Sequence, residues 1–155
     1  MLRARLLALA LTFGLVGCAS QPSPDAVRQE VQEFVRNYVD ATNKGDVTSM
    51  MEMVSRAQGV TSIMDGEISR GWDAIRTEED NLTGKEGSYK VSIGSVDVTP
   101  LGASNALAVA TMTTAVASQG QVVQDEGAMT LVLEKSKDGW KVLNEHFSTK
   151  APEGN

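Results

Sequence analysis

Apolar positions recur at three- and four-residue steps between Asp25 and Asn43: Val27, Val31, Phe34, Val35, Tyr38, Val39 and Thr42. That spacing lines one face of a helix. Asp25, after Pro24, is placed to cap its start, and Gly45 stands just past its end. Asp46 or Thr48 is placed to cap a short second helix carrying Met50, Met51, Met53 and Val54. A strand is expected from Gly59 to Met64, closed by the turn pair Asp65-Gly66 and answered by a brief return strand, Glu67 to Arg70. Trp72, Ile75 and Leu82 fall on one face of a third helix, which Asn81–Gly84 ends.

The second half changes period. Tyr89, Val91 and Ile93 alternate; after Gly94-Ser95 the pair Val96, Val98 resumes one step out of phase, as a bulge would produce. Two long strands follow, around 105–118 and 122–135, joined through Gln119-Gly120. A last strand runs from Trp140 to Ser148 after the Asp138-Gly139 turn. The predicted order is α-α-β-β-α-β-β-β-β. Helices gathered early and antiparallel strands gathered late indicate an α+β fold rather than a parallel doubly wound one.

The amino terminus carries a different message. Arg3 and Arg5 precede an apolar run, Leu6 to Val16, of the length that an export signal needs and too short to span a bilayer. The run ends in Leu15-Val16-Gly17-Cys18, which resembles the lipobox of bacterial lipoproteins. That resemblance implies cleavage before Cys18, with diacylglycerol on its thiol and an acyl chain such as palmitate on the new amine. One chain anchors weakly; two or three make a durable tether. The expected division is a signal peptide over 1–17, a lipidated Cys18 and linker over 18–24, one domain over 25–150 and a tail over 151–155. The expected location is the cell envelope, and Ala19 after the cysteine points to the outer membrane, facing the periplasm.

Charge and cysteine usage exclude several classes. The formal net charge is −6, and loss of Arg3 and Arg5 takes it to −8. No Lys/Arg cluster offers a nucleic-acid surface, so no nucleic-acid partner is expected. Cys18 is the only cysteine, which excludes an internal disulfide or a thiolate metal site. His146 is the only histidine, so no His–His metal pair forms, and neither metal nor cofactor is expected. Acidic residues are numerous but dispersed, the usual pattern of a solvated surface.

Three segments bear a family likeness. Phe34 to Asp46 resembles the first helix of NTF2-like proteins. Asp65-Gly66 followed by Arg70 to Arg76 resembles their turn, strand and helix entry, and Gly139 to Ser148 resembles their closing strand. The nearest likeness is to the SnoaL-like and DUF4440-like groups, in the superfamily of ketosteroid isomerase. This implies a curved antiparallel sheet wrapped around the first helix, a conical apolar pocket, and a homodimer formed through the sheet. A fold of such varied use names no function by itself.

The isomerase chemistry requires a carboxylate base and two oxyanion donors, a Tyr and a protonated Asp. By resemblance Tyr38 holds the tyrosine position. The base position falls on Ser62 without gaps, or on Asp65 with a gap of two or three residues, and the second acid falls near Thr130. Isomerase activity is therefore not expected, because one lost oxyanion donor alone costs about 100- to 1,000-fold. Tyr38, Asp65 and His146 remain the candidate polar constellation, and Tyr38, Met64, Trp72, Trp140 and His146 the candidate pocket lining. His146 is expected to share a face with Trp140, Val142, Asn144 and Ser148.

Three roles stay open. The leading expectation is a non-catalytic domain that binds a small apolar ligand or a protein partner. The second is a SnoaL-like enzyme of isomerase, cyclase or dehydratase type, acting on a small hydrophobic substrate. The third is a structural dimerisation module. A pocket of about 300 Å³ or more separates ligand binding from the structural role.

Overall fold

The computed structural model describes residues 22–82, 89–118 and 121–150. Its elements are α1 (Pro24–Lys44), α2 (Val47–Glu52), β1 (Thr61–Met64), β2 (Glu67–Arg70), α3 (Trp72–Leu82), β3 (Tyr89–Pro100), β4 (Asn105–Ser118), β5 (Gln121–Ser136) and β6 (Gly139–Thr149). The order matches the sequence pattern. The turn expected at Gln119-Gly120 and the end of the third helix at Gly84 lie outside the described residues.

One expected cap shifts by two residues. Ser23, not Asp25, caps α1: its hydroxyl accepts from the Ala26 N–H at 3.2 Å, and Pro24 takes the first helical position. Asp25 sits in the first turn instead, where it favours the helix dipole and pairs with Arg28. Gly45 ends the helix in the left-handed region, φ 66°, and Asp46 caps α2 through the Ser49 N–H.

The six strands form one sheet in the order β2-β1-β6-β5-β4-β3. The sheet is mixed, not wholly antiparallel as the family likeness implied. β1 runs parallel to β6, because the chain leaves α2 and enters the sheet beside the strand that closes the domain. Helix α1 crosses the inner face with Val27, Val31, Val35 and Tyr38 buried against β3 and β4. Ala106, Ala108 and Ala110 on β4 are buried beneath it, and their small side chains let the helix approach closely. The far end of α1 is fastened by Asn43, whose amide donates to the Val91 carbonyl (2.8 Å) and accepts from the Val91 N–H (2.7 Å). These bonds occupy part of the otherwise unpaired edge of β3.

Two bulges aim the side chains. The expected one lies between Ile93 and Val96, and Gln32 of α1 donates to the Val96 carbonyl there. The second lies in β6, where Leu143 is the extra residue between the pairs Leu133–Val142 and Val132–Asn144. Among the described residues no helix is long and apolar enough to cross a membrane.

Candidate functional site: an acid-lined cone

Helix α1, α3 and the inner face of the sheet enclose a cone. Its cavity is lined by Tyr38, Val39 and Thr42 of α1, Met50 of α2, Met64 of β1, Glu79 and Leu82 of α3, and residues of β3, β5 and β6. The free space is about 20 Å³, room for a single water-sized group. Met50 and Met129 are buried to 1% and 0% and fill the space beneath.

The bulge at Leu143 decides which β6 residues reach the cone. Before it, Trp140 and Val142 point inward; after it, Glu145 and Phe147 do. An extra residue in a strand reverses the facing of everything beyond it. His146 therefore lies exposed on the opposite face of the sheet. The shared face expected for Trp140, Val142, Asn144, His146 and Ser148 is broken at this point.

Asp65 is also outside. It occupies the β1–β2 turn at φ 47°, exposed, where its carboxylate accepts from the N–H (2.8 Å) and hydroxyl (3.2 Å) of Thr149. Of the expected polar constellation only Tyr38 enters the cone; of the expected lining, Tyr38 and Met64 do. Trp72 instead donates its indole N–H to the Met51 carbonyl (3.0 Å), with the Arg56 guanidinium 3.4 Å from its ring centre. Trp140 is buried elsewhere, donating to Glu30 at 2.9 Å.

What the cone holds in their place is a set of buried carboxyls. Tyr38 Oη donates to Glu145 Oε2 at 2.7 Å, with both residues at most 2% exposed. Burial pushes the Glu145 carboxyl up to about 6, against the opposing pull of the Tyr38 hydroxyl. Ser62 is the register neighbour of Glu145 across β1–β6 and fully buried, so the base position of the isomerases carries a hydroxyl turned inward. Among the described residues, neither Ser62 Oγ nor Glu145 Oε1 completes a hydrogen bond.

Glu79 of α3 is 4% exposed, and its carboxyl rises to about 8, first through burial and then through the charges of Glu145, Glu78 and Asp80. The same surroundings lift the Tyr38 phenol well above its ordinary 10, and burial with Glu79 nearby lifts Tyr89 to about 12. Burial and repulsion between the acidic groups raise both carboxyls, Glu79 the more. Such a pair can donate and accept protons, but the cavity has no volume for a substrate beside it.

Both carboxyls escaped the reading of acidic residues as solvated surface. Glu79 had a signal: it is four residues after Ile75 and continues the stripe Trp72, Ile75, Leu82. Glu145 had a weaker one: the adjacent apolar pair Val142-Leu143 breaks the alternation of the last strand. Among the described residues no group of three His, Cys, Asp or Glu side chains is arranged to hold a metal ion.

Comparison with known proteins fits this architecture. The model of the SnoaL-like domain matches residues 31–152. The chain belongs to the SnoaL-like domain family. No curated protein matches it in sequence. Among solved structures, a Streptomyces avermitilis protein provisionally described as a dehydratase of the NTF2-like family superposes with a TM-score of 0.74 at 18% identity, covering 83% of this chain and 99% of that one. An NTF2-like superfamily protein of Salmonella enterica serovar Typhimurium gives 0.70 at 21%, covering 85% and 96%. The association domain of Caenorhabditis elegans CaMKII gives 0.67 at 16%, covering 81% and 98%. At these identities the likeness establishes the NTF2-like fold for this SnoaL-like domain, and no activity.

Proposed function

We propose that this protein is an envelope lipoprotein, tethered through lipid on Cys18, whose SnoaL-like domain is a non-catalytic module. It works through protein contact across the open face of its sheet, with a second copy of the chain as partner. The observation that carries this reading is the filled cone: about 20 Å³ of free space is far below the roughly 300 Å³ of a small-molecule site.

The outer face of the sheet supports it. Across β4, β5 and β6 the paired rows Leu107–Val132–Asn144, Val109–Thr130–His146 and Thr111–Ala128–Ser148 carry no Asp, Glu, Lys or Arg, and exposed Asp97 of β3 closes the middle row. Val109 is 38% exposed there, and charge returns at the Glu126–Lys150 pair beyond the last row. Depletion of charge at the centre with a charged rim is the composition of an interface, and the open face of one sheet can meet its own copy across a two-fold axis. A domain that shares the fold is described as the association domain of CaMKII, and we carry that association role over to this chain as part of the proposal.

Native mass spectrometry of the full lipoprotein, released from detergent, tests both parts. A diacylated or triacylated mass, lost in Cys18→Ser, and a dimer that Thr111→Arg converts to monomer are the expected results. A monomer at micromolar concentration would sink the partner reading, and a retained small molecule would redirect it to ligand binding. One observation favours an enzyme instead: the buried Tyr38–Glu145 pair beside Glu79 has the makings of an acid–base set. That reading requires the cone to open.

A further inference from the structure

The chain enters the domain at one end of the sheet, beside the loop that joins β3 to β4. There Pro22, Pro24 and Val27 meet Thr99, Pro100 and Ala103, and together they line an open groove of about 470 Å³. The loop itself carries Leu101, 54% exposed, next to Gly102 at φ 102°. The Leu101 N–H donates to the Asn105 carbonyl at 2.8 Å, so the loop is closed by its own backbone and holds the leucine outward. Turn positions favour Gly, Asn, Asp, Ser and Pro; a leucine held outward at one is an apolar surface left to something outside the domain.

Charge at this end is paired. Arg28 meets Asp25 at 2.7 Å, and Lys135 meets Glu30. The Lys135 N–H donates to the Ser104 carbonyl at 2.7 Å, which brings the β5–β6 turn to the same end, where Lys137 lies 3.9 Å from Asp138. Three cations thus offset three carboxylates, whereas the whole chain carries −6. Anionic headgroups repel an acidic surface, and that repulsion is weak where opposite charges are matched. The lipid tether sets the distance. Pro22 stands four residues beyond Cys18, so even a fully extended chain separates them by no more than about 14 Å. The far end of the sheet, where Val122 is 64% exposed, lies about 45 Å away along β4.

Given the lipid tether proposed above, we propose that the domain rests this end on the bilayer that holds Cys18, with Leu101 entering the boundary between headgroups and acyl chains. The acyl chains supply the affinity, and the protein contact supplies orientation. Leu101 buries the apolar surface that the fold leaves open, the paired charges lie at headgroup level, and the β4–β5 hairpin points away from the membrane. The occupant of this end is therefore a lipid surface, reached because the tether is short and the charge is balanced.

Fluorescence quenching from within the membrane reads this contact. The full lipoprotein is reconstituted in vesicles of phosphatidylethanolamine and phosphatidylglycerol that include lipids bearing a nitroxide near the headgroup. An NBD fluorophore is attached through Ser104→Cys, in the same loop as Leu101, or through Gln121→Cys at the far end; both positions are exposed. The sulfur of Cys18, once in its thioether, takes no label. The expected result is loss of most of the fluorescence at position 104 and none at position 121. Leu101→Asp should restore the signal at position 104, and Leu101→Ser makes the same comparison should the first variant fold poorly. Equal quenching at the two positions overturns the orientation, and quenching at position 104 that survives both Leu101 variants overturns the role of Leu101. Flotation of the same samples separates the two proposals. Protein that floats with the vesicles but is not quenched at position 104 overturns the docking and leaves the tether standing; protein that does not float overturns both. A label shielded from aqueous iodide yet untouched by the nitroxide lipids reveals a protein over the loop, which also overturns the docking.

Discussion

Tyr38, Glu145 and Glu79 carry the physics of this domain at the scale of single residues. Both carboxyls have folded-state values above the ordinary 4.5, about 6 for Glu145 and about 8 for Glu79. The folded chain therefore holds protons that the unfolded chain has released. Their contribution to stability is fully present below pH 4.5 and is lost as pH rises through 6 and then 8. Urea unfolding is expected to show stability falling by roughly 4 kcal/mol between pH 5 and pH 8.5, the reverse of ordinary acid denaturation. Glu79→Gln should flatten most of that slope; an unchanged slope would show that Glu79 is not its source. Tyr38→Phe removes the single bond to Glu145 Oε2 and should cost about 1–3 kcal/mol, more above pH 6 than below it. His146→Ala, on the exposed face, should change stability by no more than about 0.5 kcal/mol.

At the scale of elements, the domain depends on a few backbone-directed contacts. Asn43 replaces a missing strand at the edge of β3, and Asn43→Ala leaves both polar groups of Val91 without their partner. A loss of about 2 kcal/mol in thermal or denaturant unfolding is expected. Gly127 on β5 has no room for a side chain: a Cβ there would stand 2.2 Å from the Ser148 carbonyl oxygen of β6. Gly127→Ala must separate the two strands and should destabilise the domain by about 2 kcal/mol or more. The elements themselves were legible in the sequence because periods of 3.6 and 2 follow from local geometry. The bulge between Ile93 and Val96 was legible too, through the phase change after Gly94-Ser95. The bulge at Leu143 was not, because apolar Val142 and Leu143 fit either phase until the strand pairs with β5.

For the molecule as a whole, the filled cone and the charge-poor outer face point the same way. The interior packs, and on the proposed reading the exterior meets a partner. Thr111→Arg and Ala128→Arg place charge at neighbouring positions of the row Thr111–Ala128–Ser148 and should lower the sedimentation coefficient to that of a monomer without altering the circular dichroism spectrum. If both variants remain dimeric, the contact lies elsewhere. The buried carboxyls of the cone and the proposed contact at the sheet are on opposite faces, so loss of one should leave the other intact.

The sequence by itself determined the kinds of element, their order, the mixed α+β class and the family likeness. Each of these follows from spacing along the chain and from the short-range chemistry of caps and turns. Only the tertiary structure decided which side chains meet. Glu79 and Glu145 are 66 positions apart, and whether either carboxyl is solvated or buried is fixed by packing across the cone. The same holds for His146, which a continuous β6 would have turned toward the cavity, and for Asp65, which its turn leaves exposed. A single extra residue, Leu143, exchanged His146 for Glu145 at the inner face, and facing is a property of the paired strand, not of the strand alone.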